Sequence, residues 1–147
     1  MQLRDATPDD VPALVALARR AAVEASGLSL EQRTVWAERL NEARLSDLLQ
    51  VAGLRVADDE GPVGFACRIA DTIEMLYVDP RAQRRGIGKA LLRDLERAAH
   101  AGGVHRLRLV TASNAVGFYA ARGYEVVREA VEVLDGVNFT RIYMAKG

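Results

Sequence analysis

The chain has 147 residues, half of them hydrophobic and 27% charged, which is enough to bury one core without disulfides or a structural metal. Lysine plus arginine and aspartate plus glutamate stand at 20 each; with zero net charge and no polybasic run, neither nucleic acid nor a membrane surface is indicated as partner. A single cysteine, Cys67, excludes an intrachain disulfide and a cysteine-based metal cluster, and no signal pattern or membrane-length apolar stretch is present, so a cytoplasmic address is expected.

Residues 2–6 alternate as a short strand. Thr7-Pro8-Asp9-Asp10 then reads as a helix start, with Thr7 as N-cap, Pro8 at the first helical position and Asp10 facing the positive helix end. Val11, Leu14, Val15, Leu17, Ala18 and Ala22 share one helical face, and Gly27 is expected to end the helix. A second helical stretch covers Ser29 to Val51, with Asn41 as its candidate break. From Gly53 the texture becomes strand-like. Residues 54–57 and 62–70 form a hairpin around Asp58-Asp59-Glu60-Gly61, and a strand over 72–78 stops at Asp79-Pro80.

A strong helix is expected over 88–101, capped by Gly102-Gly103. A strand at 106–111, a short helix at 115–122 and a last hairpin (124–133 and 138–145, around Asp135-Gly136) complete the chain. The order β-α-α-β-β-β-α-β-α-β-β predicts a single α/β (α+β) domain over 1–147. Its mixed, mostly antiparallel sheet is flanked by helices, since crossovers need parallel neighbours and hairpins need antiparallel ones.

The chemistry is concentrated in Leu76-Tyr77-Val78-Asp79-Pro80-Arg81-Ala82-Gln83-Arg84-Arg85-Gly86-Ile87-Gly88-Lys89-Ala90, where a strand ends, a loop turns and a helix begins. Gly86 and Gly88 allow backbone N–H groups to approach a ligand, and the helix start adds unpaired donors and a positive dipole end. Such a cradle suits a pyrophosphate, with Arg81, Arg84 and Arg85 adding cations. Two other phosphate loops are excluded. A dinucleotide fingerprint would need glycine at Leu91; a Walker loop would need glycine at Gln83 and a hydroxyl residue at Ala90.

The remaining pattern, Gln83, Gly86 and Gly88 in Gln/Arg-x-x-Gly-x-Gly/Ala, resembles the pyrophosphate motif of the GNAT N-acetyltransferases. A second block, Asn114-Ala115-Val116-Gly117-Phe118-Tyr119-Ala120-Ala121-Arg122-Gly123-Tyr124, is similar to that family's helix ending in Phe-Tyr-x-x-x-Gly-Phe/Tyr. The order of elements matches as well, so the resemblance spans nearly the whole chain.

It implies a GNAT-like sheet in which the strand before the loop splays from its parallel neighbour and acetyl-CoA, a co-substrate, lies in the gap. The backbone of Leu76, Tyr77 and Val78 would pair with the pantetheine arm. The amides of Arg84, Arg85, Gly86, Ile87, Gly88, Lys89 and Ala90 would hold the pyrophosphate. Tyr119 matches the tyrosine that protonates the departing thiolate; a phenol near ~10 serves a thiol near ~8.5 only where the site assists. Many relatives carry an asparagine where this chain has Ala112; Asn114 either substitutes for it or caps the helix.

Glu74, in the strand leading into the loop, is the candidate base, and on strict alternation it shares a face with Leu76 and Val78. A backbone N–H of the same strand would stabilise the oxyanion. Cys67 reads as a small buried residue, and His100 and His105 as surface residues at a helix end. By resemblance, Trp36 and the second helical stretch border the acceptor pocket, a core role being the alternative, with Glu132, Asp135 and Asn138 as lesser candidates. The expected activity is direct acetyl transfer from acetyl-CoA to a small-molecule or peptide amine, without a metal. The alternative is a non-catalytic acyl-CoA-binding or regulatory module on the same fold. The acceptor and the oligomeric state, a homodimer among the options, are not legible.

Overall fold

The computed structural model describes all of residues 1–147. The strands are β1 (Gln2–Asp5), β2 (Arg55–Asp58), β3 (Pro62–Ile69), β4 (Thr72–Val78), β5 (Leu107–Thr111), β6 (Glu125–Leu134) and β7 (Val137–Lys146). The helices are α1 (Val11–Val23), α2 (Leu30–Arg39), α3 (Glu42–Val51), α4 (Ile87–Ala101) and α5 (Val116–Ala120). One seven-stranded sheet runs in the order β1-β2-β3-β4-β5-β7-β6. Only β4 and β5 are parallel; every other neighbouring pair is antiparallel.

The expected helical stretch from Ser29 to Val51 is two helices. Leu40 ends the first by leaving helical geometry, and Asn41 then caps α3 by accepting a 2.9 Å hydrogen bond from the Arg44 N–H. Ser29 caps α2 in the same way, accepting from Gln32 N–H at 3.0 Å while its own N–H donates to the Gln32 side chain at 2.9 Å. Other boundaries shift modestly. The stretch at Pro8–Asp10 is a 3-10 turn before α1, and α1 closes at Val23, with Gly27 in the turn beyond. Ser113–Ala115 is likewise 3-10, which leaves α5 shorter than expected.

Two cores lie on opposite faces of the sheet. Leu14, Leu17 and Ala18 of α1 and Leu45 of α3 pack on Val56, Phe65, Cys67 and Met75. On the other face, Leu91, Leu92 and Leu95 of α4 pack with Tyr119 of α5 on Ala57, Ala66, Ile73 and Leu109. The period-2 alternation of β3 divides Phe65 and Cys67 from Ala66, which is why one strand serves both cores. A third, small cluster joins Val35 of α2 to Leu134 and Phe139 of the β6–β7 hairpin. The hairpin turns at Asp135-Gly136, where both residues have positive φ (50° and 77°), the geometry of a two-residue I′ connection.

Candidate active site

The parallel pair that should hold β4 against β5 is short. Thr72 pairs with Arg108 and Ile73 with Leu109, and the ladder stops there. Strand β5 continues along β7 to Thr111, while β4 continues along β3 to Val78. The two strands therefore part, and residues 74–78 present an unpaired backbone edge to the space between them. The local cause is a β-bulge. Arg68 opposes Ile73 and Cys67 opposes Met75, so Glu74 is the extra residue of β4. A bulge strengthens local twist and interrupts pairing.

The bulge also interrupts the alternation of β4 between Ile73 and Met75, on either side of Glu74. Ile73, Leu76 and Val78 pack toward α4, Met75 and Tyr77 toward α1, and Glu74 is exposed at the step between the two settings. Its side chain borders a cavity of about 930 Å³ that occupies the gap.

One end of that cavity is the loop into α4. Gly86 is the N-cap with φ of 74°, a left-handed conformation that any Cβ would strain, and no side chain caps this helix end. The first helical hydrogen bond runs from Ala90 N–H to Gly86 C=O at 3.0 Å, so the amides of Ile87, Gly88 and Lys89 are the free first-turn donors. This corrects the expectation for Ala90, whose N–H is already used inside the helix. Gly88 serves close packing: a Cβ there would stand 3.3 Å from the Phe118 ring, so α4 and α5 approach at this point because no side chain intervenes. Gln83, Arg84, Gly86, Ile87, Gly88 and Lys89 border the cavity. The Arg85 side chain instead pairs with Asp59 in the β2–β3 turn, and the long 3.4 Å bond from Gln83 Nε2 to Val78 C=O ties the loop loosely to β4.

What holds this loop in place is Asp79, the one buried charged residue of the chain at 3% exposure. Its Oδ2 accepts from Arg20 Nη2 of α1 at 2.7 Å and from Arg81 Nη2 at 3.0 Å, and its Oδ1 accepts from the Arg81 N–H at 3.0 Å. Burial alone would raise the Asp79 carboxyl, but the two guanidiniums and the backbone donor outweigh it and hold it well below the usual carboxylate range. The sequence reading treats Asp79-Pro80 only as a strand stop. The missing signal is tertiary, because Arg20 lies 59 positions away.

On the opposite wall of the gap, α5 places Tyr119 at 7% exposure with its ring edge-on to Phe118 (centroids 5.1 Å apart) and to Tyr124 (5.7 Å). Burial, with a smaller contribution from Tyr77, pushes its phenol up to about 12, so it stays protonated throughout the neutral range. The ring is packed and borders the cavity at once. Asn114 also borders the cavity, and its side chain caps neither the 3-10 turn nor α5. Cys67 is buried, and desolvation raises its thiol to about 12, as befits a packing residue.

The far end of the cavity is built from α2, α3 and β7. Trp36 Nε1 donates to Tyr77 Oη at 2.9 Å, and its ring lies 5.8 Å from Phe139. Arg141 stacks on Trp36 at 4.7 Å from the ring centroid, and Arg44 borders the same space. Neither arginine is legible in the sequence as a site residue. Of the lesser candidates, Glu132 approaches Arg141 at 3.4 Å, Asn138 gives its carbonyl to Gln32 at 2.9 Å, and Asp135 is exposed at the hairpin tip.

The residues fit an acyl-CoA substrate on three counts. There is an uncapped helix N-terminus for an anion, a free strand edge for an amide-bearing arm, and a cavity large enough to admit both arm and acceptor. Comparison with known proteins agrees. Residues 19–146 match the family described as acetyltransferase (GNAT) domain. The uncharacterized N-acetyltransferase YafP of Escherichia coli (strain K12) is 31% identical over 98% of this chain and 94% of its own. A GCN5-related N-acetyltransferase from Rhodopseudomonas palustris superposes with a TM-score of 0.94 at 30% identity, over 99% of this chain and 94% of that one. The PaiA N-acetyltransferase of Thermoplasma acidophilum, solved with coenzyme A, gives 0.75 at 25% identity, over 99% and 97%. With the splayed sheet, the uncapped α4 cradle and these likenesses in agreement, this chain belongs to the GNAT acetyltransferase family.

Proposed function

We propose that the protein transfers an acetyl group from acetyl-CoA directly to an amine, with both substrates bound together and no covalent enzyme intermediate. The observation that carries this reading is the parting of β4 from β5 after Ile73, which opens a gap bordered by the α4 cradle, Tyr119 and Glu74. In it, the amides at 84–89 receive the pyrophosphate, and the free edge at Leu76, Tyr77 and Val78 pairs with the pantetheine amides. Gln83 and Asn114 border the arm.

The amine attacks the thioester carbonyl carbon as the carbonyl π electrons move to oxygen, where a β4 backbone N–H stabilises the charge. Glu74 takes the amine proton, directly or through one water, and its exposed position gives solvent access for returning that proton. When the C–S bond breaks, Tyr119 donates its proton to the sulfur. Its high pKa ensures that the donor form is present, and the tyrosinate is reprotonated from solvent. The YafP and Rhodopseudomonas likenesses support acetyl transfer as the reaction class.

A screen of primary amines for thiol release from acetyl-CoA tests the reading, with Tyr119→Phe and Glu74→Gln in parallel. The parent should release thiol with at least one amine. Both variants should keep acetyl-CoA affinity within about threefold and lose roughly hundredfold in kcat. A parent that binds acetyl-CoA but acetylates no amine, with variants indistinguishable from it, would make the chain a binding module instead.

A further inference from the structure

The far end of the cavity is electrostatically incomplete. Arg141 of β7 is held rigidly, with its side chain 13% exposed and stacked on Trp36, whose indole is fixed in turn by the Tyr77 hydroxyl. The nearest carboxylate, Glu132, reaches only 3.4 Å from Nε, and that nitrogen is buried without a hydrogen bond. Arg44 of α3 borders the same space, and no ion pair occupies its guanidinium; only its backbone N–H is engaged, by Asn41. The two cations sense each other. Burial lowers the Arg141 guanidinium from its ordinary value and Arg44 adds to that, with Glu132, Tyr77 and Tyr143 opposing. Glu74 borders the same cavity and likewise has no ion-pair partner.

A preorganised, largely buried guanidinium beside a second cation is a receptor for a planar oxyanion. We infer that the acceptor is a small amino acid: an amine that also carries a free carboxylate, the carboxylate bound by Arg141 and Arg44 while the amine faces Glu74. This rests on the acetyl-transfer reading and goes further by fixing the acceptor's charge. A polyamine would set cation against two arginines, and a lysine within a polypeptide would bring no carboxylate of its own. Size points the same way. The cavity of about 930 Å³ must also take the thioester arm, which favours a small acceptor.

The test titrates CoA-saturated protein calorimetrically with a panel of α-, β- and γ-amino acids, each against its own carboxamide, which keeps the amine and the shape but removes the charge. At least one acid should bind roughly thirtyfold or more tighter than its carboxamide, as expected when one side of a buried charge pair is removed. Arg141→Gln should abolish that preference, Arg141→Lys should restore it only in part, and Arg44→Gln should reduce it. Circular dichroism and unchanged acetyl-CoA affinity would show each variant folded. If no acid outbinds its carboxamide, or if the preference survives both Arg141→Gln and Arg44→Gln, the inference is overturned. If the parent fails to bind acetyl-CoA at all, the acetyl-transfer reading fails first, and the two failures are told apart by that control.

Discussion

The two ends of the cavity are built by different means. The α4 end is made of backbone: three free amides, a left-handed Gly86 and a strand edge without a partner, all within one continuous stretch of chain. The far end is made of side chains from separate elements, namely Trp36 from α2, Arg44 from α3, Tyr77 from β4, and Phe139 and Arg141 from β7. A backbone site needs only the right turn and so can be shared by proteins that acetylate different amines. A side-chain site changes with single substitutions. The first end therefore tolerates changes of side chain that the second does not.

Breaking the backbone end should have the largest effect. Gly86→Glu combines a strained left-handed φ with a carboxylate in the anion cradle, where nothing stands within 4 Å of its Cβ, so the fold should survive. A like-charge clash of several kcal/mol predicts roughly a thousandfold loss of acetyl-CoA affinity by calorimetry. Tyr119→Phe comes next, with a loss of about a hundredfold in kcat and little change in acetyl-CoA affinity. Because burial pushes the Tyr119 phenol up to about 12, the protonated donor is present below that value, so Tyr119 should impose no alkaline fall in rate between about pH 8 and 10.

Asp79→Asn should cost about 2 kcal/mol of stability by denaturant titration; that is below the range for fully buried pairs, because Arg20 and Arg81 keep 35% and 71% of their side chains exposed. The sign of its pH dependence follows from the lowered carboxyl. Its stabilisation is full above the unfolded value of about 3.9 and is lost as the pH falls through the lower folded value, so parent and variant should converge in acid. The smallest effect belongs to Cys67. With its thiol raised to about 12, a thiol-specific reagent at pH 8 should leave it unlabelled in the folded chain and label it on unfolding.

Much of this was legible because the signals are local. The strand at 72–78, the α4 cradle and the Phe118-Tyr119 helix each follow from residues within a few positions of one another, and β4 has the expected bounds. The bulge at Glu74 was not legible. No glycine or proline marks it, and it exists because β3 pairs out of step on either side of that residue. The Asp79 clasp depends on Arg20, the cation pair joins residues 44 and 141, and a charged residue in a helix or strand reads equally well as a solvated face until the sheet brings it inside. Ala90 shows a finer limit. Spacing marks the helix start, but only the hydrogen-bond ladder shows which amide is the first one spent.

The central claim is that the gap between β4 and β5, ending on the α4 cradle, is an acetyl-CoA site. The direct measurement is isothermal titration of the folded chain with acetyl-CoA. The account predicts saturable one-to-one binding, which weakens as salt screens the pyrophosphate. A chain with intact circular dichroism that takes up no acetyl-CoA would contradict it.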